Sequence, residues 1–215
     1  MAAFFTLTLD TTAPSGGKIT LITLTNTRNI TATLAATGAT QMKLWGDIGT
    51  GSAATTEAAA SWEAFTESKA VQLTSGDGVK TVYVKFRDDV GNETTSYSAT
   101  TDLDTTAAIV TVTGPDVAKV SKVAGYNVAT FSFSSDTDFV EYSVRVVPQN
   151  SSTHTAGTQL GTTNGSENMS GTGDFKADTA INCKINAADL AAASAEDGAK
   201  IIKVFVKDKA GNWSV

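Results

Sequence analysis

The sequence predicts an all-β protein built from two tandem β-sandwiches, and two observations carry that prediction. The first is an internal repeat: DGVKTVYVKFRDDVGN at 77–92 returns as DGAKIIKVFVKDKAGN at 197–212, with 7 identities over 16 ungapped positions. The second is composition, because aromatic residues are only 7% and charged residues 18%, while β-branched runs lie between Gly and Asn turns. A repeat within 215 residues indicates two domains of about a hundred residues each.

Each copy of the repeat predicts a half-buried strand between two turns. In the first copy, apolar residues alternate with polar ones: Val82, Val84 and Phe86 with Tyr83, Lys85 and Arg87. In the second copy the inner positions are Ile202, Val204 and Val206. A period of two is that of a strand with one buried face. The flanking Asp-Gly and Gly-Asn pairs are turn residues, since Gly and Asn tolerate positive φ and Asp bonds to nearby backbone amides.

A second repeated signature, LDTTA at 9–13 and 103–107, marks the approach to each domain. It places the boundary near Asp104, with one domain at 1–104 and another at 105–215. The run FFTLTL at 4–9 predicts an extra strand ahead of the first domain. The strands predicted inside that domain are 18–24, 30–35, 41–45, 69–73, 79–87 and 94–101.

The 46–60 insertion is rich in small residues and predicts a short helical turn at 56–60, after which Trp62 and Phe65 are expected to return to the core. The second domain predicts strands at 109–113, 127–133, 139–147, 180–185 and 200–208. Asn186 is expected to cap a short helix at 187–195. The 149–174 segment is dominated by Ser, Thr, Gly and Asn, which predicts a long mobile or exposed loop.

Composition excludes several classes of protein. The formal charge of −6, a pI of about 4.7 and the lack of a Lys/Arg cluster argue against binding to nucleic acid. No apolar run approaches the roughly 20 residues needed to cross a bilayer, and the start of the chain lacks a signal peptide, so we expect synthesis in the cytoplasm and no membrane. The single Cys183 excludes an intramolecular disulfide and a Cys-based zinc site.

Asp77-Gly78, VYVKF and Asp88-x-x-Gly91-Asn92, repeated from Asp197 to Asn212, resemble the bacterial immunoglobulin-like domains of adhesins and tailed-phage virion proteins. LDTTAP at 9–14 and QMKLWGD at 41–47 are more similar to the phage-encoded members. The resemblance implies immunoglobulin-like sandwiches that serve as spacers, decorations or weak carbohydrate binders. It supplies no catalytic residues and no cofactor.

The candidates for catalysis and metal binding are few. His154 is the only histidine and lies in a polar loop with no evident triad partner, so a solvated histidine is favoured over a catalytic base. Calcium ligation by Asp88, Asp89 and Asp208 is disfavoured, because Lys209 replaces the second Asp in the second copy. A turn-capping role is favoured for these Asp residues. Weaker metal candidates flank the 149–174 segment: Glu167, Asp174 and Asp178.

Cys183 and the large aromatic residues allow further predictions about which side chains are buried. Cys183 alternates with Ile181 and Ile185 and is expected in the core. Trp45 lies two residues after Lys43, and residues two apart on a strand share a face, so Trp45 is expected to face outward. Trp45 and His154 are the candidates for glycan contact. Trp62 is expected in the core, which is the general expectation for these large aromatics. Phe205 falls on the wet face of its strand, which suggests contact with a neighbouring domain or subunit.

The two copies of the repeat are continued by very different lengths of chain. Ten residues, 93–102, continue the first domain, whereas only Trp213, Ser214 and Val215 come after the second copy. Aligned on LDTTA, Phe4 to Thr8 takes the place of the last strand of the first domain. We expect the N-terminal segment to complete an open edge of another subunit or a partner, although pairing within its own chain and a simply short last strand stay open. The candidate partner residues are Phe4, Phe5, Leu7, Phe205 and Trp213.

Together these features predict a non-enzymatic structural protein of a tailed-phage virion, either a capsid decoration or a tail-associated protein. It would contact other virion proteins, and copies of itself, through β-edges and loops. The alternative is a weak, multivalent module for host-surface glycans and adhesion.

Overall fold

A computed structural model describes residues 4–215 and divides the chain into two compact units, the first ending at Thr105 and the second beginning at Thr106. Almost all of the regular secondary structure in both units is β-strand. None of the helices among residues 4–215 has the length and apolar character to cross a membrane. The strands of the first unit are β1 Ser15–Thr20, β2 Leu24–Thr25, β3 Asn29–Thr37, β4 Gln41–Gly46, β5 Glu63–Ala64, β6 Ser68–Gln72, β7 Gly78–Arg87 and β8 Tyr97–Leu103.

Two sheets of the first unit enclose one apolar core. One has the order β1-β3-β6, and the other the order β2-β8-β7-β4-β5. The alternating pattern of β7 is confirmed: Val82, Val84 and Phe86 are fully buried, and they belong to the same core as Leu34 and Leu73 from the opposite sheet. The arrangement is sandwich-like, because each sheet presents its apolar residues to the other.

The second unit repeats this plan with fewer strands. Its elements are β9 Val110–Thr113, β10 Val128–Ser135, β11 Phe139–Val147, β12 Thr158–Gln159, β13 Ser170–Phe175, β14 Ile181–Asn186, helix α1 Ala187–Ala193 and β15 Ile201–Asp208. One sheet has the order β14-β10-β9. In the other, β11 pairs with β15 along one edge and with both β12 and β13 along the other. The core lies between these sheets around Phe133, Phe139 and Val206.

The capped helix is confirmed. Asn186 is extended and accepts a hydrogen bond from the amide of Ala188 at 2.9 Å, as an N-cap residue does. The helix ends two residues earlier than predicted, at Ala193. The turn at 56–60 is also present, since the amide of Ala60 donates to the carbonyl of Thr56.

Two expectations about local structure are wrong. Residues 4–9 form no strand, because nothing in the described part of their own chain pairs with them, and Phe4, Phe5, Leu7 and Leu9 are exposed. The 149–174 segment is not one long loop. It contains β12 and most of β13, and it contributes Leu160 and Met169 to the core, so two apolar anchors order it.

Candidate functional site

The turn after each copy of the repeat is built around one aspartate. Asp88 Oδ1 accepts from the amides of Val90 and Asn92 at 3.1 and 2.8 Å, and Oδ2 accepts from the Asn92 side chain at 2.7 Å. Asp208 makes the corresponding bonds with Gly211 and Asn212. Burial raises the pKa of Asp88, but the bonds from Asn92, Val90 and Gly91 outweigh it and leave this pKa below its usual range. The turn-capping interpretation is confirmed for Asp88 and Asp208, whereas Asp89 is the exposed neighbour of Asp88.

The repeated strands themselves differ in pairing. In the first unit, β7 lies between two neighbours, β4 and β8. In the second unit, β15 pairs with β11 alone among the described strands, and Lys207 near its end forms an isolated bridge with Trp213. The strand also begins later in the second copy. In the first copy β7 begins at Gly78, whereas in the second copy Gly198 to Lys200 lie outside any strand and β15 begins at Ile201. Among residues 4–215, the edge of β15 that corresponds to the β8 side of β7 therefore has no partner over 201–205, and we call it the β15 edge.

Two apolar side chains near the β15 edge face the interior but are only partly covered. Val112 pairs with Phe133, and because paired residues share a face, it points toward the core. Nevertheless it is 51% exposed. Ile202 is only half-buried, whereas Val82 at the same place in the first copy is fully buried. Strand β9, which carries Val112, packs against β15, which carries Ile202.

In the first unit, β8 occupies the corresponding edge of β7. It pairs with β7 from Gly78↔Leu103 to Val84↔Tyr97, and it also packs against β1. The Tyr97 ring lies so close to Gly17 that a methyl group there would overlap it. Beyond β8, Asp77 Oδ1 accepts from the amide and the hydroxyl of Thr105, at 2.9 and 2.7 Å. The LDTT segment at 103–106 is thus tied to the start of β7.

The N-terminal segment 4–9, like β8, ends in a Leu that is followed by Asp-Thr-Thr-Ala. Unlike β8, it pairs with no strand among residues 4–215. Leu9 and Leu103 hold equivalent places before Asp-Thr-Thr-Ala, yet Leu9 is 87% exposed and Leu103 is 1% exposed. The candidate partner residues Phe4, Phe5 and Leu7 are exposed to a similar degree. Exposed apolar residues in such a run are unusual unless another surface covers them.

No family model and no curated protein matches the sequence. Among solved structures, the chain is similar to chitinase ChiA74 from Bacillus thuringiensis, with 13% identity and a TM-score of 0.34. The match covers 83% of this chain and 27% of the chitinase chain, so the chain spans about a quarter of that protein. A likeness at this TM-score carries no argument about fold or activity.

The expectation that Phe205 offers an exposed contact is wrong. Phe205 lies on the outer face of β15 between two lysines but is 1% exposed. The 148–157 loop lies over this face, because Arg145 donates to the carbonyls of Ala156 and Gly157 and Lys203 donates to that of Ser151. Sequence parity located Phe205 correctly on the outer face, but only the fold of the loop shows that the face is covered.

The two ring candidates of the second unit contact each other. The His154 and Trp213 rings stack with centroids 4.3 Å apart and an angle of 5° between their planes. Lys207 Nζ lies 5.8 Å from the centroid of the Trp213 ring on the same outer face. His154 is therefore not a free solvated side chain, and one face of its imidazole is occupied by the indole.

The first unit covers its outer face in a comparable way. Trp45 points outward, as its parity predicts, but it is 8% exposed and stacks on Tyr83 at 5.6 Å. The prediction that Trp62 lies in the core is wrong: it is half-buried on the outer face, beneath the cationic groups of Lys43 and Arg87. Its indole is held there because a cation favours the face of an aromatic ring. Phe65 does reach the core, against Phe86.

The metal candidates are not brought together. Glu167 forms an ion pair with Lys184, and Asp174 forms ion pairs with Lys176 and Lys209. Residues 4–215 contain no group of three His, Cys, Asp or Glu side chains placed to share an ion. Asp178 adopts a positive φ of 56° in a turn.

Cys183 lies in the core, as predicted, and is 3% exposed. Burial raises the pKa of its thiol to about 12. Its Sγ lies 3.2 Å from the carbonyl oxygen of Asn168, as expected for a thiol that donates. It has the character of a small core residue and not of a reactive nucleophile.

Proposed function

We propose that this chain is a non-enzymatic structural protein of a tailed-phage virion, a capsid decoration or tail-associated protein with two immunoglobulin-like β-sandwiches. It joins neighbouring proteins through a free sheet edge and surface loops. The place in a virion is supported by the resemblance of the repeated DG…DxxGN motif and the LDTTAP segment to phage-encoded immunoglobulin-like domains.

The observation that supports assembly is the β15 edge. A strand with free backbone donors and acceptors is a template for strand addition. Proteins often protect such edges with lysines, but here the cationic residues do not mark the edge. Strand β7, which is paired on both edges, carries Lys80, Lys85 and Arg87, and β15 with its approach carries Lys200, Lys203 and Lys207, so cationic residues are equally frequent in these two stretches.

The glycan-binding alternative has less support in the geometry. A sugar stacks on an open aromatic face, whereas Tyr83 covers one face of the Trp45 ring and Trp213 covers one face of the His154 ring. The outer faces on which these rings lie are occupied by the protein's own insertions. Adhesion through weak multivalent contacts would need rings that are free.

Two measurements test the proposal. Antibody labelling or imaging of intact phage particles should place the protein at regular positions on the head or tail. A glycan array probed with a multivalent form of the protein should give no specific signal. Absence of the protein from purified particles would refute the virion role, and specific array binding that Tyr83→Ala or Trp213→Ala alters would favour the adhesion alternative.

A further inference from the structure

We infer that residues 4–9 of one copy pair with the β15 edge of a second copy, completing its second unit as β8 completes the first. This inference rests on the proposed assembly role and names the partner, which is another molecule of this chain. The occupant follows from the repeat, because the strand that precedes LDTTA is the one that pairs with the DG-strand of the preceding sandwich.

The pairing of β7 with β8 sets the expected register. Gly78 pairs with Leu103, Thr81 with Thr100 and Val82 with Ala99. Transferring these places to the second copy and to the N-terminal segment pairs Gly198 with Leu9, Ile201 with Thr6 and Ile202 with Phe5. The antiparallel match extends over about six residues, which is a usual strand length.

In this register the apolar residues of the N-terminal segment face the core of the second unit. In β8 the residues that face the core are Ala99, Thr101 and Leu103, which are half-buried or buried. Their counterparts are Phe5, Leu7 and Leu9, all apolar, while Thr6 and Thr8 face outward. The buried hydroxyl of Thr101 has no hydrogen-bond partner within residues 4–215. Leu7 suits that place better, since it buries no unsatisfied polar atom.

The receiving surface offers apolar residues to match. Val112 on β9 faces the interior of the second unit, and Ile202 lies on the β15 edge at the place of the buried Val82; β9 and β15 pack against each other. An inserted Phe5 and Leu7 would remove these side chains from water, and burial of apolar area is the main driving force for such association. Strand addition would supply the backbone hydrogen bonds and set the register.

A polar contact would fix the end of the added strand. In the first unit Asp77 accepts from both the amide and the hydroxyl of Thr105. Asp197 occupies the place of Asp77 in the second copy and is exposed. Thr11 occupies the place of Thr105 after the N-terminal segment. In the assembly Asp197 of one copy therefore accepts from Thr11 of the next. Because the two contacting surfaces differ, the assembly is head-to-tail and yields rings or filaments.

The first test is self-association of the full chain, measured by sedimentation velocity over a range of concentrations. We expect oligomers that grow with concentration. Leu7→Asp should weaken association at least about tenfold, because it puts a charge on the inward face. Thr6→Asp adds the same charge to the outward face and should associate like the unchanged chain. Residues 6 and 7 lie outside the core, so both variants should keep the circular dichroism of the unchanged chain.

The second test is the register. Copies that carry Thr6→Cys are mixed with copies that carry Ile201→Cys under mild oxidation, and Cys183 stays buried in both. We expect a disulfide-linked heterodimer. Phe5→Cys mixed with Ile201→Cys is the matched control, since a shift of one residue puts the thiols on opposite faces.

Each outcome is decisive. A chain that stays monomeric, or that associates equally with Leu7→Asp, would overturn the inference, as would cross-linking that is no better with Thr6→Cys than with Phe5→Cys. Slow hydrogen exchange at 199–203 in a monomer at high dilution would also overturn it, because the edge would then be closed within one copy. None of these results depends on finding the protein in a virion, so the strand exchange and the virion role can fail separately.

Discussion

Asn92 donates both its backbone amide and its side-chain amide to Asp88, at 2.8 and 2.7 Å. The same pair of bonds recurs between Asn212 and Asp208. The side chain of Asn92 also reaches the carbonyl of Asp10, and that of Asn212 reaches the carbonyl of Thr106. One side-chain pair thus closes the turn after the repeated strand and fastens it to the segment that enters each unit.

Asp88→Ala should lower the melting temperature of the protein by several degrees, because Asp88 is buried and the amides of Val90 and Asn92 would lose their acceptor. Asp89→Ala is the matched control, since Asp89 is the exposed neighbour in the same turn. Calorimetry of the two variants checks the prediction. Equal melting temperatures would contradict the turn-capping role.

Acid should destabilise the second unit partly through Asp138. The amide of Ala177 and the ammonium groups of Lys176 and Lys209 hold the pKa of Asp138 well below its usual value. The unfolded chain therefore takes up the proton first as pH falls. The stabilisation is present above the ordinary Asp pKa near 4 and is lost progressively below it.

Urea unfolding at a series of pH values between about 7 and 3 tests this sign. Asp138→Asn should be less stable than the unchanged chain near neutral pH, and the difference should shrink as pH falls. Asp102→Asn, an exposed change on β8, should follow the unchanged chain throughout. A difference that grows toward acid pH would reverse the assignment.

Phe205→Ala should destabilise the second unit by about 3–5 kcal/mol, because removal of a fully buried aromatic side chain leaves a cavity. Phe4→Ala removes the same ring from an exposed place and should leave the free energy of unfolding unchanged. Urea titration of both variants at a concentration below self-association measures the effect. A small loss for Phe205→Ala would mean that the loop does not cover this face in solution.

Gly157→Ala should release the 148–157 loop from the sheet. Gly157 has a φ of 65°, and an added Cβ would overlap the carbonyl oxygen of Val146. Gly161→Ala is the matched control, since open space surrounds that residue and its φ is not positive. Faster hydrogen exchange across 148–157 and a change in Trp213 fluorescence are expected only for the first variant.

Cys183 should react with a thiol reagent only when the second unit unfolds. It is buried and its pKa is raised to about 12, so at mildly alkaline pH little thiolate forms and none is accessible. The labelling rate should therefore rise with urea in step with the loss of circular dichroism. Fast labelling of the folded chain under the same conditions would contradict this burial.

Local patterns were enough to predict most strands and the helix cap. The alternation in 82–86 and 202–206 required a buried face, and Asn186 before an Ala-rich run required a helix start, because each effect acts between residues close in sequence. The Asp-to-Asn turn bonds have the same origin. The core positions of Cys183 and Phe65 were also predictable from the sequence.

The covered faces could not be predicted in this way. The alternation of faces along a strand correctly predicted that Trp45 and Phe205 point outward. Whether an outward residue is exposed, however, depends on which distant segment lies over it. The order of the 149–174 segment could not be predicted either. Leu160 and Met169 are isolated in a polar run, and they are buried only because they pack into the core of the second unit.

By itself, the sequence determined that the same strand and turn occur twice, because repeated residues repeat their short-range bonds. Only the tertiary structure decided which copy of the strand is paired along both edges. β7 has two neighbours and β15 has one among the strands of residues 4–215, and strand pairing joins residues far apart in the chain, so no local pattern shows it. The exposed Val112, which faces the core beside that edge, was likewise visible only once its partner Phe133 was known.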